Sequence, residues 1–194
     1  MVLQVCGGVG SGKSLVLAYL KENYGASIVG MDELAHELYE PGEAGYLRAL
    51  ELMGGEIRAA DGSLDRKAMA NRLYREPDLL AALDATVHPL VYDRVEALAR
   101  REKTKFLVVE TALPARERNH IYNEIWYVFT PRALRIRRLM DSRGYTRARA
   151  EEIMERQMSD AAYESLADWT LVNDADEAVL YRRIDGRLSG KELR

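Results

Sequence analysis

Gly7-Gly8-Val9-Gly10-Ser11-Gly12-Lys13-Ser14 follows a short apolar run, Val2 to Cys6, and leads into an amphipathic stretch. The octet fits G-x-x-x-x-G-K-[ST] in a strand–loop–helix setting. Glycines let the backbone wrap closely and aim successive N–H groups inward, making an anion nest at a helix N-terminus. The Lys13 ammonium can reach the β- and γ-phosphates of a nucleotide, and the Ser14 hydroxyl can ligate Mg2+. A glycine-rich turn that merely starts a helix is the weaker reading, because the motif is complete and correctly flanked. The opening therefore predicts a site for a nucleoside triphosphate.

Two carboxylates are expected on the same edge of a parallel sheet, where ligands sit. Asp32 follows the run Ser27 to Gly30, and Glu110 follows Phe106 to Val109. Asp32 can accept a proton from an attacking hydroxyl or hold Mg2+ through water, or it can cap a helix over Glu33 to Tyr39. Glu110 is a candidate for positioning water or metal, with a loop carboxylate of no special role as the alternative. Cys6 stands immediately before the nest, so alkylation is expected to block nucleotide binding by bulk if reagent reaches the thiol.

From Thr130 to Gln157 the chain carries arginine at 132, 135, 137, 138, 143, 147, 149 and 156. Such a run is either a solvated helical face or a cationic lid. Arginine outnumbers lysine 22 to 6 in the whole chain, and its planar fork is the better phosphate ligand. In contrast, Asp32 to Ser63 holds eight acids against Arg48 and Arg58.

These residues need a frame. Val2–Cys6, Ser27–Gly30, Phe106–Val109, Ile125–Phe129 and Trp169–Val172 read as strands buried on both faces. Lys13–Asn23, Leu90–Arg101, Pro131–Asp141 and Asp176–Leu188 read as crossover helices, with Thr130 as cap and Pro131 at the first helical position. The expected fold is α/β: a doubly wound five-stranded parallel sheet of the P-loop type. Its core takes about 1–32, 104–130 and 167–194, with a helical insert over about 33–103 and a short helical lid over about 131–160.

Composition narrows the function. The 194 residues are 47% hydrophobic and 30% charged, which suits one globular domain. A net charge of −3 weighs against nucleic-acid binding. No run approaches the ~20 apolar residues of a membrane span. A single cysteine forms no internal disulfide, so a cytoplasmic location is expected. Cys6 with three histidines gives no zinc spacing. Without an Asn-Lys-x-Asp segment a GTPase switch is disfavoured. A small kinase needs a phosphate cradle, an acceptor pocket and a cationic lid, and this chain has candidates for each.

The ordered set of motifs resembles the dephospho-CoA kinase family. Residues 7–14 resemble its G-G-[IV]-G-S-G-K-S loop, and Asp32 matches the second aspartate of its D-x-D step. Glu40-Pro41-Gly42, Asp61-Gly62-Ser63-Leu64-Asp65-Arg66, His88-Pro89, Arg138, Gln157, Ala167-Asp168 and Asn173 match further segments in order. Gly30 replaces the first aspartate of D-x-D, Glu110-Thr111-Ala112-Leu113-Pro114 replaces P-L-L-x-E, and Arg143 comes one residue late. The resemblance implies transfer of the γ-phosphoryl of ATP, with Mg2+, to the ribose 3′-hydroxyl of dephospho-CoA. It implies catalytic roles for Asp32, Lys13 and Arg138. ATP is expected on Gly8, Val9, Gly10, Ser11, Gly12, Lys13, Ser14, Leu15, Arg138 and Arg143, with Mg2+ on Ser14. The acceptor is expected on Asp32, Arg66, His88 and Glu110. For His88, a hydrogen-bonded structural role is the other reading. The partners implied are small molecules, with no nucleic acid or membrane, and a monomer or small homo-oligomer. A nucleoside or nucleotide kinase, or a non-catalytic ATP-binding module, are the alternatives.

Overall fold

The computed structural model describes residues 1–101, 106–114 and 120–191. The expected insert–core boundary at 103 and 104 lies outside them. Five strands form one parallel sheet: β1 (Val2–Cys6), β2 (Ser27–Gly30), β3 (Leu107–Thr111), β4 (Glu124–Phe129) and β5 (Trp169–Val172). Their order is β2-β3-β1-β4-β5. The chain leaves β1 toward one side of the sheet and returns on the other, so the end of β1 is a topological switch point. Cys6, the last residue of β1, pairs with Thr111 of β3 and Tyr127 of β4.

The chain divides into two compact units, Met1–Val29 with Glu102–Arg194, and Gly30–Arg101. In the first, Leu3 and Val5 point to one face, where they meet Val16 and Leu20 of α1 (Lys13–Tyr24) and Leu180, Ile184 and Leu188 of α9 (Glu177–Leu188). Asp185 of α9 accepts hydrogen bonds from Tyr19 and Tyr24 of α1 at 2.8 and 2.6 Å. On the other face, Tyr127 of β4 stacks on Tyr163 of α8 (Asp160–Leu166), with ring centroids 4.8 Å apart. The expected burial on both faces holds for β1, β3 and β4, whose runs are apolar almost throughout, but not for the edge strands β2 and β5, which are largely half-buried because each has one neighbouring strand.

The second unit is helical: α2 (Met31–Leu38), α3 (Ala44–Met53), α4 (Arg66–Arg75) and α5 (Pro77–Arg101). The expected helix from Leu90 begins thirteen residues earlier and runs through Pro89. Proline removes one N–H from the ladder. Leu83, Val87, Val91 and Val95 offset that loss, each four residues on and each buried. A continuous buried stripe outweighs one missing hydrogen bond. Asp65 caps α4, accepting from the N–H groups of Lys67 and Ala68 at 3.0 and 2.9 Å.

Candidate active site

The loop between β1 and α1 is shaped from both sides. Gly12 is the N-cap of α1 at φ +90°, where an L side chain is strained and a Cβ would run into the Asn173 amide. The Ser11 carbonyl accepts from Thr130 Oγ1 at 2.9 Å and Asn173 Nδ2 at 2.8 Å. Val9 donates its N–H to Gln157 Oε1 at 3.0 Å, Ser11 donates to the Gly8 carbonyl at 3.2 Å, and Leu15 to that of Gly12 at 3.1 Å. The N–H groups of Gly10, Gly12, Lys13 and Ser14 make no hydrogen bond among the described residues. Those four donors, at the positive end of α1, form the anion nest. Leu15 turns its side chain to the sheet core.

Lys13 donates from Nζ to the Gly7 carbonyl at 2.7 Å and lies 3.7 Å from Glu110 Oε1. Burial pulls its pKa down, and Glu110 opposes that shift by favouring the charged ammonium. Ser14 is exposed in the first turn of α1. Cys6 is fully buried, and burial pushes its thiol up to about 12. The condition for the expected block by alkylation, that reagent reaches Cys6, is not met by this structure, since the central strand buries the thiol behind the loop and favours its protonated form.

The arginine run divides physically. Helices α6 (Arg132–Arg143) and α7 (Arg147–Glu155) pack through Ile136, Leu139, Ala150 and Met154, with Val9 of the loop against that cluster. Arg135 is only 6% exposed; it donates from Nε to the Val9 carbonyl and from Nη2 to Gln157 Oε1, both at 2.8 Å. Arg138 lies 3.3 Å from Thr130 Oγ1 and 3.4 Å from the Asn173 carbonyl, and its Nη1 would be 3.5 Å from a Cβ on Gly12. Arg138 is thus seated beside the loop. Arg143 is exposed in the last turn of α6, and Arg132 and Arg149 are half-exposed beside Glu155 and Glu152. Thr130 does not cap α6; Pro131 is the N-cap, and the Thr130 hydroxyl binds the Ser11 and Asn173 carbonyls instead. Arg135 was not singled out beforehand. Its partners lie 126 and 22 residues away, so no local pattern marks it.

In the second unit, Asp32 is exposed in the first turn of α2, whose N-cap is Gly30. Asp32 therefore does not cap this helix. Arg66 opens α4 and lines an apolar cavity of about 170 Å3 with His36, Tyr39, Leu64, Met69, Ala70 and Leu73. His88 sits on the surface of α5, 66% exposed, with Nε2 4.0 Å from Asp84.

Comparison with known proteins agrees with this geometry. The family model for dephospho-CoA kinase matches residues 1–178. A dephospho-CoA kinase from Methylococcus capsulatus is 32% identical over 186 residues, covering 95% of this chain and 93% of that one. Its counterpart from Bordetella pertussis is 35% identical over 171 residues, covering 87% and 79%. Among solved structures, a Thermus thermophilus protein superimposes with a TM-score of 0.73 at 28% identity, covering 97% of this chain and 96% of that one. A dephospho-CoA kinase from Campylobacter jejuni gives 0.70 at 16% identity over the same shares, a likeness of fold alone. The chain belongs to the dephospho-CoA kinase family.

Proposed function

We propose that the chain transfers the γ-phosphoryl group of ATP to the ribose 3′-hydroxyl of dephospho-CoA, giving coenzyme A and ADP. The observation that carries this reading is the free row of N–H donors around Lys13, in a chain matching the family along residues 1–178. Gly8, Val9, Gly10, Ser11, Gly12, Lys13, Ser14 and Leu15 form or frame the cradle for the triphosphate. Val9, Ser11 and Leu15 do so by holding its shape, because their N–H groups are already used.

Mg2+ takes few protein ligands and keeps several waters. The exposed Ser14 hydroxyl beside the free donors fits that demand, and no cluster of three His, Cys, Asp or Glu forms a cage among the described residues. When bound, the ion neutralises charge on the phosphate oxygens.

In the transfer, the bond from the 3′-oxygen to the γ-phosphorus forms as the bond from that phosphorus to the bridging oxygen breaks. Asp32 takes the hydroxyl proton, and ADP leaves with the bonding pair. Lys13 and Arg138 stabilise the charge that develops on the equatorial and leaving oxygens. Glu110 supports the charged state of Lys13. Arg143 assists from the end of α6, and α6 with α7 forms the lid over about 131–160. The helical insert holds the acceptor, with Arg66 at its apolar cavity and His88 on α5. A cytoplasmic location goes with this reading, since a single cysteine suits a reducing medium. Mass spectrometry of the reaction mixture tests the reading. Dephospho-CoA gains one phosphoryl group on the 3′-oxygen; an unchanged acceptor with ATP consumed would refute it.

A further inference from the structure

Val9, at the tip of the phosphate loop, is held in three ways. Its N–H donates to Gln157 Oε1 at 3.0 Å, its carbonyl accepts from Arg135 Nε at 2.8 Å, and its side chain packs on the α6–α7 cluster. Gln157 Oε1 also accepts from Arg135 Nη2 at 2.8 Å, which closes a ring of three residues. Arg135 Nη1 lies 3.8 Å from Asp160, whose carboxylate accepts from the Tyr127 hydroxyl at 2.6 Å. Two donors of this buried guanidinium, on Nε and Nη2, are given to the Val9 carbonyl and Gln157, and Nη1 faces the Asp160 carboxylate. Arg135 is therefore tied to the loop and to Gln157, unlike the exposed members of the arginine run.

Its position on α6 gives it another task. Arg138 is three residues further along the same helix, so the two side chains share a face. Fixing Arg135 to Val9 fixes where Arg138 falls, and Arg138 falls beside Gly12.

We propose that Val9, Arg135 and Gln157 form a lock that sets α6 against the phosphate loop, so that Arg138 is already in register with the transferring phosphoryl group. Arg135 and Gln157 are then positioning residues acting through Arg138. The proposal rests on the reading of Arg138 as the arginine that meets the phosphates.

The test is a kinetic double-mutant cycle with ATP and dephospho-CoA. Arg135→Met keeps length and apolar packing but removes the fork. It lowers kcat by roughly 10- to 100-fold and changes the KM for ATP by less than about 3-fold. In an Arg138→Ala background the same substitution changes kcat by less than about 3-fold, because the residue it positions is gone. Gln157→Leu behaves as Arg135→Met does, while Gln157→Glu, which keeps the accepting oxygen, loses less. If Arg135→Met does not fold, Gln157→Leu is carried through the same cycle. Equal factors in both backgrounds, or wild-type kcat in Arg135→Met and Gln157→Leu, overturn the lock. A wild-type rate in Arg138→Ala alone overturns the reading beneath it, and the lock with it.

Discussion

Lys13 and Asp32 have the most demanding chemistry at the level of single side chains. The Lys13 ammonium is buried, so part of its hydration is already lost, and the Gly7 carbonyl and Glu110 compensate. Lys13→Ala removes a point charge that the transition state needs, and turnover is expected to fall below detection while the far-ultraviolet spectrum is unchanged. A near-normal kcat would mean the phosphates are oriented differently. Asp32→Asn keeps shape but loses basicity. It is expected to lower kcat by roughly 10²–10⁴-fold, the range for a general base, with thermal stability nearly unchanged. Because Asp32 does not cap α2, a loss of stability in place of activity would assign it to local structure instead. The phosphate loop was legible in the sequence because an anion nest is built from consecutive backbone groups. Asp32 was legible as a base, a holder of Mg2+ through water, or a cap, and its position inside the first turn removes only the cap.

Among the elements, α6 carries two kinds of arginine that sequence alone does not separate. Arg138→Ala is expected to lower kcat by ~10³-fold or more, as an arginine placed on a phosphoryl group does, and to raise the KM for ATP far less. Arg132→Ala and Arg149→Ala, at exposed ion pairs, are expected to change stability within about 0.5 kcal/mol and to leave the rate alone. Arg143→Ala should fall between them, since the last turn of α6 leaves its side chain exposed. Steady-state kinetics under saturating Mg·ATP checks all four, and four similar rates would return the run to a solvated surface. The central strands β1, β3 and β4 fell within two residues of the expected runs because burial on both faces writes them as nearly unbroken apolar segments, whereas the edge strands β2 and β5 are only half-buried. Helix α5 was read short because Pro89 punctuates the sequence. The stripe through Leu83 and Val95 that carries the helix past it is a property of packing.

For the molecule as a whole, the sheet is also tied together at the end away from the loop. Glu124 opens β4 and receives Arg187 at 3.0 Å, the Trp126 indole N–H at 2.7 Å, and the Lys191 ammonium. Burial raises its pKa, but Lys191, Trp126 and Arg187 together bring it below the usual glutamate value. Its folded pKa is therefore below its unfolded one. The stability it contributes is complete above the unfolded value, about 4.3, and is lost as pH falls through the lower folded value. Glu124→Gln is expected to be less stable than the wild type at pH 7, with the gap closing in more acid solution. Urea unfolding at neutral and acid pH checks this, and a gap independent of pH would assign the loss to packing. Such long-range ties carry no local signal in the sequence, whereas net charge, a property of composition, is legible at once.

The most direct test of the account is the initial rate of ADP release with dephospho-CoA, beside AMP and deoxynucleosides, at fixed Mg·ATP. The account predicts rapid release that depends on dephospho-CoA, slow or absent release with the other acceptors, and none in Lys13→Ala. Turnover with a nucleoside or nucleotide in preference to dephospho-CoA, or ATP binding with no transfer to any acceptor, would contradict it.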